Sequence, residues 1–130
     1  MEFNFNCEDA LGCDNKGYAI LEGSFQQNIR QCFKLHVNGI LDLLGEQSSK
    51  EQSLNIIKTN AHKFFTSHDR IFIKADKNVV IGFIRVGKRK MAIKDNSNNY
   101  YNDEPLCVID FYIVKSYERQ GHGKVSKLKK

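Results

Sequence analysis

The residues best placed by type and spacing to do chemistry lie between Glu104 and Lys124. Glu104-Pro105-Leu106-Cys107-Val108-Ile109-Asp110-Phe111-Tyr112-Ile113-Val114 is largely apolar and β-branched, and it runs into Arg119-Gln120-Gly121-His122-Gly123-Lys124. A buried strand feeding a glycine-punctuated basic turn is the pattern of a phosphate-cradling loop. Gly121 and Gly123 permit close backbone approach, and Arg119 and Lys124 add positive charge, so a pyrophosphate could rest there. On spacing alone, an ordinary strand-to-surface turn fits equally well. The loop is not a Walker A motif, which needs two glycines five residues apart followed by Lys-Ser/Thr. Nor is it a Rossmann loop, because the strand-to-helix context is missing.

The four cysteines, Cys7, Cys13, Cys32 and Cys107, show no C-x-x-C pair, and His36, His62, His68 and His122 are scattered. That spacing argues against a zinc site, and no metal is expected. The same cysteine usage, with no secretory leader pattern, points to reduced thiols and a cytosolic setting. No apolar run approaches the roughly 18 residues of a membrane span. Cys107 on its own reads as a buried strand cysteine, the commoner fate of such residues.

The elements that must position these residues fit one domain of 130 residues, 41% apolar and 27% charged, an ordinary globular balance. Its net charge of +5 suggests an acidic partner. The excess sits in Arg85 to Lys94 and in Lys124 to Lys130, without the aromatic interleaving of a single-stranded nucleic-acid platform, so nucleic acid is disfavoured.

Met1 to Phe5 alternates as a short edge strand would, and Cys7 to Gly17 reads as loop. Tyr18-Ala19-Ile20-Leu21 is apolar but of open type. Helical spacing of Phe25, Ile29, Cys32, Phe33, His36, Val37, Ile40, Leu41 and Leu44 predicts a helix capped by Ser24 and closed at Gly45. A second helix is expected from Ser48 or Ser49, where Ser49-Lys50-Glu51-Gln52 fits a capping box, with Leu54, Ile57, Ala61 and Phe64 or Phe65 on its buried face. Strands are expected at Ile71-Phe72-Ile73, after which Asp76-Lys77-Asn78 turns, and at Val79 to Val86, broken by Gly87. Strand character resumes at Met91-Ala92-Ile93. Asp95 to Asp103 reads as an asparagine-rich loop, and Glu104 to Val114 as the longest strand. The order predicts an α+β domain with a mainly antiparallel sheet flanked by helices.

The strand and its loop resemble the acetyl-CoA-binding motif of the GNAT acetyltransferases, Gln/Arg-x-x-Gly-x-Gly/Ala. More narrowly, Ile81-Gly82-Phe83-Ile84-Arg85-Val86-Gly87, Glu104 to Tyr112 and Arg119-x-Gly121-His122-Gly123 resemble the α-tubulin N-acetyltransferases. Met1-Glu2-Phe3 and the segment from Leu44-Gly45 to Gln52 also fit. The resemblance implies an acetyl-CoA-dependent transferase acting on a lysine ε-amine of α-tubulin, in the cytoplasm and on microtubules, including those of cilia or flagella.

By position, Phe111, Tyr112, Ile113 and Val114 would line the acetyl-pantetheine arm. Arg119, Gln120, Gly121, His122, Gly123 and Lys124 would hold the pyrophosphate. Cys107 would face the reacting centre, and Gln52 corresponds to a glutamine important for activity in the family. Asp110 is a secondary candidate, lying opposite Cys107 only if the strand has no bulge.

Two departures stand out. Glu118 occupies the first loop position and places a carboxylate near the phosphates, partly offset by Arg119. After Gly123 the family continues into an apolar helix and a strand carrying an aspartate implicated in catalysis. This chain reads Lys124-Val125-Ser126-Lys127-Leu128-Lys129-Lys130, too short to complete a stable helix. The expectation is therefore the N-terminal two-thirds of a GNAT-type domain over residues 1–130, with 124–130 a basic tail. An inactive remnant binding tubulin or another acidic partner is the alternative. A basic adaptor for nucleic acid or acidic protein, using residues 85 to 94, is a third.

Overall fold

A computed structural model describes residues 1–24 and 29–114. Among these, the chain forms α1 (Cys7–Leu11), β1 (Tyr18–Glu22), α2 (Lys34–Glu51), α3 (Ala61–Phe65), β2 (Arg70–Asp76), β3 (Val79–Lys88), β4 (Met91–Lys94), β5 (Tyr100–Asp103) and β6 (Leu106–Ile113). A short 3-10 turn, Gln31–Phe33, leads into α2. The main sheet has the order β1-β2-β3-β6, and β4 and β5 form a separate two-stranded ribbon. Every strand pair is antiparallel, as expected for an α+β fold.

The β-branched residues of β2 and β3 alternate between two faces. Ile71, Ile73, Val80 and Phe83 point to the helices and meet Val37, Ile40, Leu41 and Leu44 of α2 in one core that also takes in Cys7 of α1 and Phe64 of α3. Burial of these side chains contributes roughly 1.5–3 kcal/mol each. Val79 to Val86 forms a strand flanked on both sides, as its continuous apolar run suggests.

Several local expectations are corrected. The loop expected over Cys7 to Gly17 contains α1. Asn6 caps α1, accepting from the Asp9 N–H, and Gly12 ends it at φ 71°, a left-handed conformation suited to glycine. The edge strand at Met1 to Phe5 reduces to a single bridge, Glu2 to Val79. Ser24 does not cap a helix that continues unbroken to Leu44. Phe25 lies outside the described residues, and Ile29, Cys32 and Phe33 precede α2. The helix does not close at Gly45 and no second helix starts at Ser49; α2 runs through both to Glu51, and Gln52 is its C-cap. The capping-box reading is therefore overturned, and Leu54 and Ile57 are exposed rather than buried.

Glycine suits the middle of α2 for a tertiary reason. A Cβ at Gly45 would overlap the Thr59 carbonyl, so the chain after the helix packs directly on its backbone. Gly87 does not break β3 either, and β3, not β6, is the longest strand. The Asp95–Asp103 loop includes β5.

Gly45→Ala would raise helix propensity by about 1 kcal/mol. The overlap with a backbone carbonyl outweighs that gain, so we expect net destabilisation of about 2–4 kcal/mol, read as a lowered midpoint in urea unfolding.

Candidate active site

The strand expected to carry chemistry is irregular at one place. Arg85 pairs with Asp110 and Val86 with Val108, so Ile109 is an extra residue in β6. A β-bulge of this kind shifts the alternation of side chains by one. Cys107 and Asp110 consequently share the helix-facing side, where regular alternation would have separated them. Asp110 is 3% exposed. Phe111 and Ile113 point to the opposite, open face, where both are exposed, while Tyr112 packs on the core.

The last turns of α2 lie over this strand. The apolar stripe Val37, Leu41, Leu44 continues at helical spacing into Ser48 and Gln52, so both polar side chains reach β6. Ser48 Oγ donates to Asp110 Oδ1 at 2.5 Å, and Gln52 Nε2 donates to Ser48 Oγ at 2.8 Å and to Asp110 Oδ1 at 3.0 Å. The Phe111 N–H also donates to Asp110 Oδ1 at 3.0 Å. The Phe111 carbonyl lies 3.1 Å from Ser48 Oγ and 3.5 Å from Gln52 Nε2. The Gln52 carbonyl end accepts from Lys58 Nζ at 3.5 Å. A buried carboxylate is thus supplied with neutral donors from a helix and from its own strand, as burial of a polar group requires.

Of the expected site residues, Gln52 reaches β6 directly, at Asp110 and the Phe111 carbonyl. Cys107 lies on the same side of the strand, roughly 7–10 Å from Asp110 by strand rise, and its thiol donates to the Pro105 carbonyl at 3.5 Å. Arg119, Gln120, Gly121, His122, Gly123 and Lys124 lie outside the described residues. Ser48 was missed as a site residue because it was read as a helix start. The continuation of the 37-41-44 stripe into positions 48 and 52 was the available signal.

The far edge of β6 is open among the described residues, since β6 ends the sheet. The Val114 N–H reaches the Ile81 carbonyl at 2.9 Å. Alternation therefore turns the backbone groups of Phe111 and Ile113 toward the open edge; those of Phe111 are already engaged by Asp110 and the side chains of α2, which leaves Ile113 to face a ligand. The amides of an extended ligand arm could pair with that edge, which fits a pantetheine chain.

A second polar cluster braces the site from the other side. Asp69, 3% exposed, pairs with Arg85, 4% exposed, through Nε and Nη2, both at 2.8 Å. Arg89 adds two further 2.8 Å hydrogen bonds to the same carboxylate. Arg85 also donates to the Lys58 carbonyl at 2.9 Å and to Thr59 Oγ1 at 3.3 Å, fixing the segment that carries Lys58. The hydrogen bonds from Arg89 and then from Arg85 hold Asp69 below the usual carboxylate range against the opposing effect of burial. In the basic run 85 to 94 both guanidinium groups are therefore paired with Asp69, while Lys88, Lys90 and Lys94 are exposed.

All four cysteines are free, and burial pushes the Cys7 and Cys13 thiols up to about 11, which makes them poor nucleophiles at neutral pH. Among the described residues no three His, Cys, Asp or Glu side chains are grouped to hold a metal, and no helix is long and apolar enough to cross a membrane.

The antiparallel sheet with its helices is an α+β arrangement, and comparison with known proteins gives the family. Residues 12–127 match the model described as GNAT acetyltransferase, Mec-17, and the chain belongs to that family. It is 30% identical over 126 residues to an alpha-tubulin N-acetyltransferase of Tetrahymena thermophila, covering 96% of this chain and 32% of the relative. Alpha-tubulin N-acetyltransferase 1 of Danio rerio is 33% identical over 93 residues, covering 67% of this chain and 31% of the relative. An alpha-tubulin N-acetyltransferase of Schistosoma japonicum is 36% identical over 97 residues, covering 65% and 36%. The chain thus spans about a third of the length of these curated relatives.

The Asp69 cluster gives a signed pH dependence. A carboxyl that titrates lower in the folded chain than its unfolded value of about 3.9 stabilises fully above that value and loses its contribution as pH falls through the folded pKa. The urea midpoint is expected to drop below about pH 4. In Asp69→Asn this part of the acid limb should flatten. The same substitution should cost about 3–5 kcal/mol at pH 7, because Arg85 would remain buried without its counter-charge. Urea titrations of both proteins between pH 3 and 7 read both effects.

Proposed function

We propose that residues 1–130 are the N-terminal two-thirds of a GNAT-type domain, with 124–130 a basic tail, and that its activity is acetyl transfer from acetyl-CoA to a lysine ε-amine of α-tubulin in cytoplasmic microtubules. The observation that carries the reading is the reach of Gln52 from α2 to Asp110 and the Phe111 carbonyl of β6. It joins two segments that resemble the tubulin acetyltransferases, and the names of the relatives point the same way.

Acetyl-CoA supplies the thioester: the amine nitrogen bonds to its carbonyl carbon, the C–S bond breaks, and the thiol leaves. The chain's own part is positioning and polarisation. The edge of β6 at Phe111 and Ile113, with the neighbouring Tyr112 and Val114, would seat the pantetheine arm, and the Ile113 N–H on that edge would polarise the carbonyl. Arg119 to Lys124 would take the pyrophosphate through backbone N–H groups and charge. A lysine of ordinary pKa, about 10.4, must shed a proton before it attacks. Gln52 would orient that amine, and Cys107, on the same side of the strand, would stand beside the reacting centre.

Calorimetric titration of the 130-residue chain with acetyl-CoA, followed by transfer of labelled acetyl to polymerised tubulin, tests the proposal. Micromolar binding and labelled α-tubulin are expected. Binding of microtubules with neither acetyl-CoA binding nor transfer would overturn it in favour of a non-catalytic tubulin-binding module. With transfer established, Gln52→Ala and Cys107→Ala should each reduce kcat/KM about 10- to 100-fold.

A further inference from the structure

The hydrogen bonds around Asp110 do more than satisfy a buried carboxylate. A glutamine side chain has a donor end and an acceptor end of nearly the same shape, and which end faces inward decides what it can offer a ligand. Here the choice is dictated by chemistry. Asp110 Oδ1 lies 3.0 Å from the inner end of Gln52, and an amide oxygen there would set two acceptors against each other. Only the NH2 group can face it, and Ser48 Oγ accepts from the same nitrogen at 2.8 Å. The Ser48 hydroxyl proton is itself held at Asp110 Oδ1, so its oxygen is left to accept. The amide nitrogen is thus held inward and the carbonyl oxygen outward.

An independent observation locates the other end. Lys58 Nζ lies 3.5 Å from Gln52 Oε1, so this oxygen is accessible to a primary ammonium and accepts from one within the chain.

We infer that Ser48 and Asp110 are positioning residues that lock Gln52 with its carbonyl oxygen outward, as an acceptor for the ammonium or amine of the lysine substrate. The role rests on the acetyltransferase reading given above; the lock itself does not. Gln52 then favours its ligand by type: the outward oxygen accepts from a primary amine, as it does from Lys58. Ser48 and Asp110 need never touch substrate to have this effect.

The test separates the lock from the activity. In ¹⁵N spectra of the 130-residue chain, the Gln52 side-chain amide pair, identified by its disappearance in Gln52→Met, should exchange with water at least about 10-fold more slowly than that of exposed Gln31. That protection should fall to the Gln31 level in Ser48→Ala and Asp110→Asn and persist in Ser48→Thr, which keeps the hydroxyl. Ser48→Ala keeps the test decisive if Asp110→Asn does not fold. A Gln52 pair as labile as Gln31 in the wild type, or one unchanged by Ser48→Ala, would overturn the lock whatever the enzyme does.

In the transfer assay, Ser48→Ala should raise the KM for tubulin about 10-fold and leave acetyl-CoA affinity unchanged. Equal losses of tubulin and acetyl-CoA affinity would mark a merely structural effect and overturn the positioning role. Absence of transfer in a wild type whose Gln52 pair is protected would defeat the acetyltransferase reading and leave the lock standing.

Discussion

A single extra residue in β6 is the constraint from which the rest of the site follows. Without Ile109 as a bulge opposite Arg85 and Val86, alternation would turn Asp110 away from Cys107 and out toward the open face of the sheet. With it, the carboxylate enters the helix side. Burying a carboxylate demands donors, and the nearest element able to supply them is the end of α2. The helix therefore extends past Gly45 to present Ser48 and Gln52, and the chain after it turns back closely enough for the Thr59 carbonyl to lie against Gly45. Bulge, helix length and the glycine in the helix are parts of one arrangement.

The two buried carboxylates answer the same demand with different chemistry. Asp69 sits against two guanidinium groups, whose fork geometry gives short, directional, charge-assisted bonds. Removing Asp69 would leave Arg85 buried without a counter-charge, and through Arg85 the cluster acts as a brace between β3 and the segment 58–59. Asp110 instead collects a hydroxyl, an amide and a backbone N–H. Neutral donors orient without cancelling the charge, and they leave a side chain, Gln52, whose far end still faces outward. A brace suits the first position and an oriented acceptor suits the second.

The sequence made the sheet legible where side-chain type alone decides it. Ile71-Phe72-Ile73, Val79 to Val86 and the run ending at Val114 are strands because β-branched and aromatic residues fit a pleated, half-buried surface. The periodic stretch from Val37 to Leu44 is helical for the same kind of local reason. Misreadings fell on small and polar residues taken for punctuation. Gly45 looked like a helix end, but it makes room for a carbonyl. Gly87 looked like a break, yet its missing side chain leaves space for the Asp69 carboxylate. Ser49 looked like a cap, whereas its hydroxyl donates to the Ile56 carbonyl at 2.7 Å. Each is a long-range contact written in a residue whose local meaning is different, which is why tertiary context overrides propensity there.

The site shows the same division. Gln52 and Cys107 could be placed on their elements from motif position, but their relation to each other depended on Asp110, and Asp110 depended on a bulge that no single-residue propensity encodes. Ser48 illustrates the remedy. A serine about one turn beyond the last large apolar residue of an amphipathic stripe sits on the buried face by geometry, whatever its own polarity. A hydroxyl forced into that position must find an acceptor, and the acceptor must come from whatever the helix covers. Followed through, that requirement leads from α2 to a polar group on the facing strand. Among the residues of β6, Asp110 is the one carboxylate, and placing it under Ser48 would itself have called for the bulge.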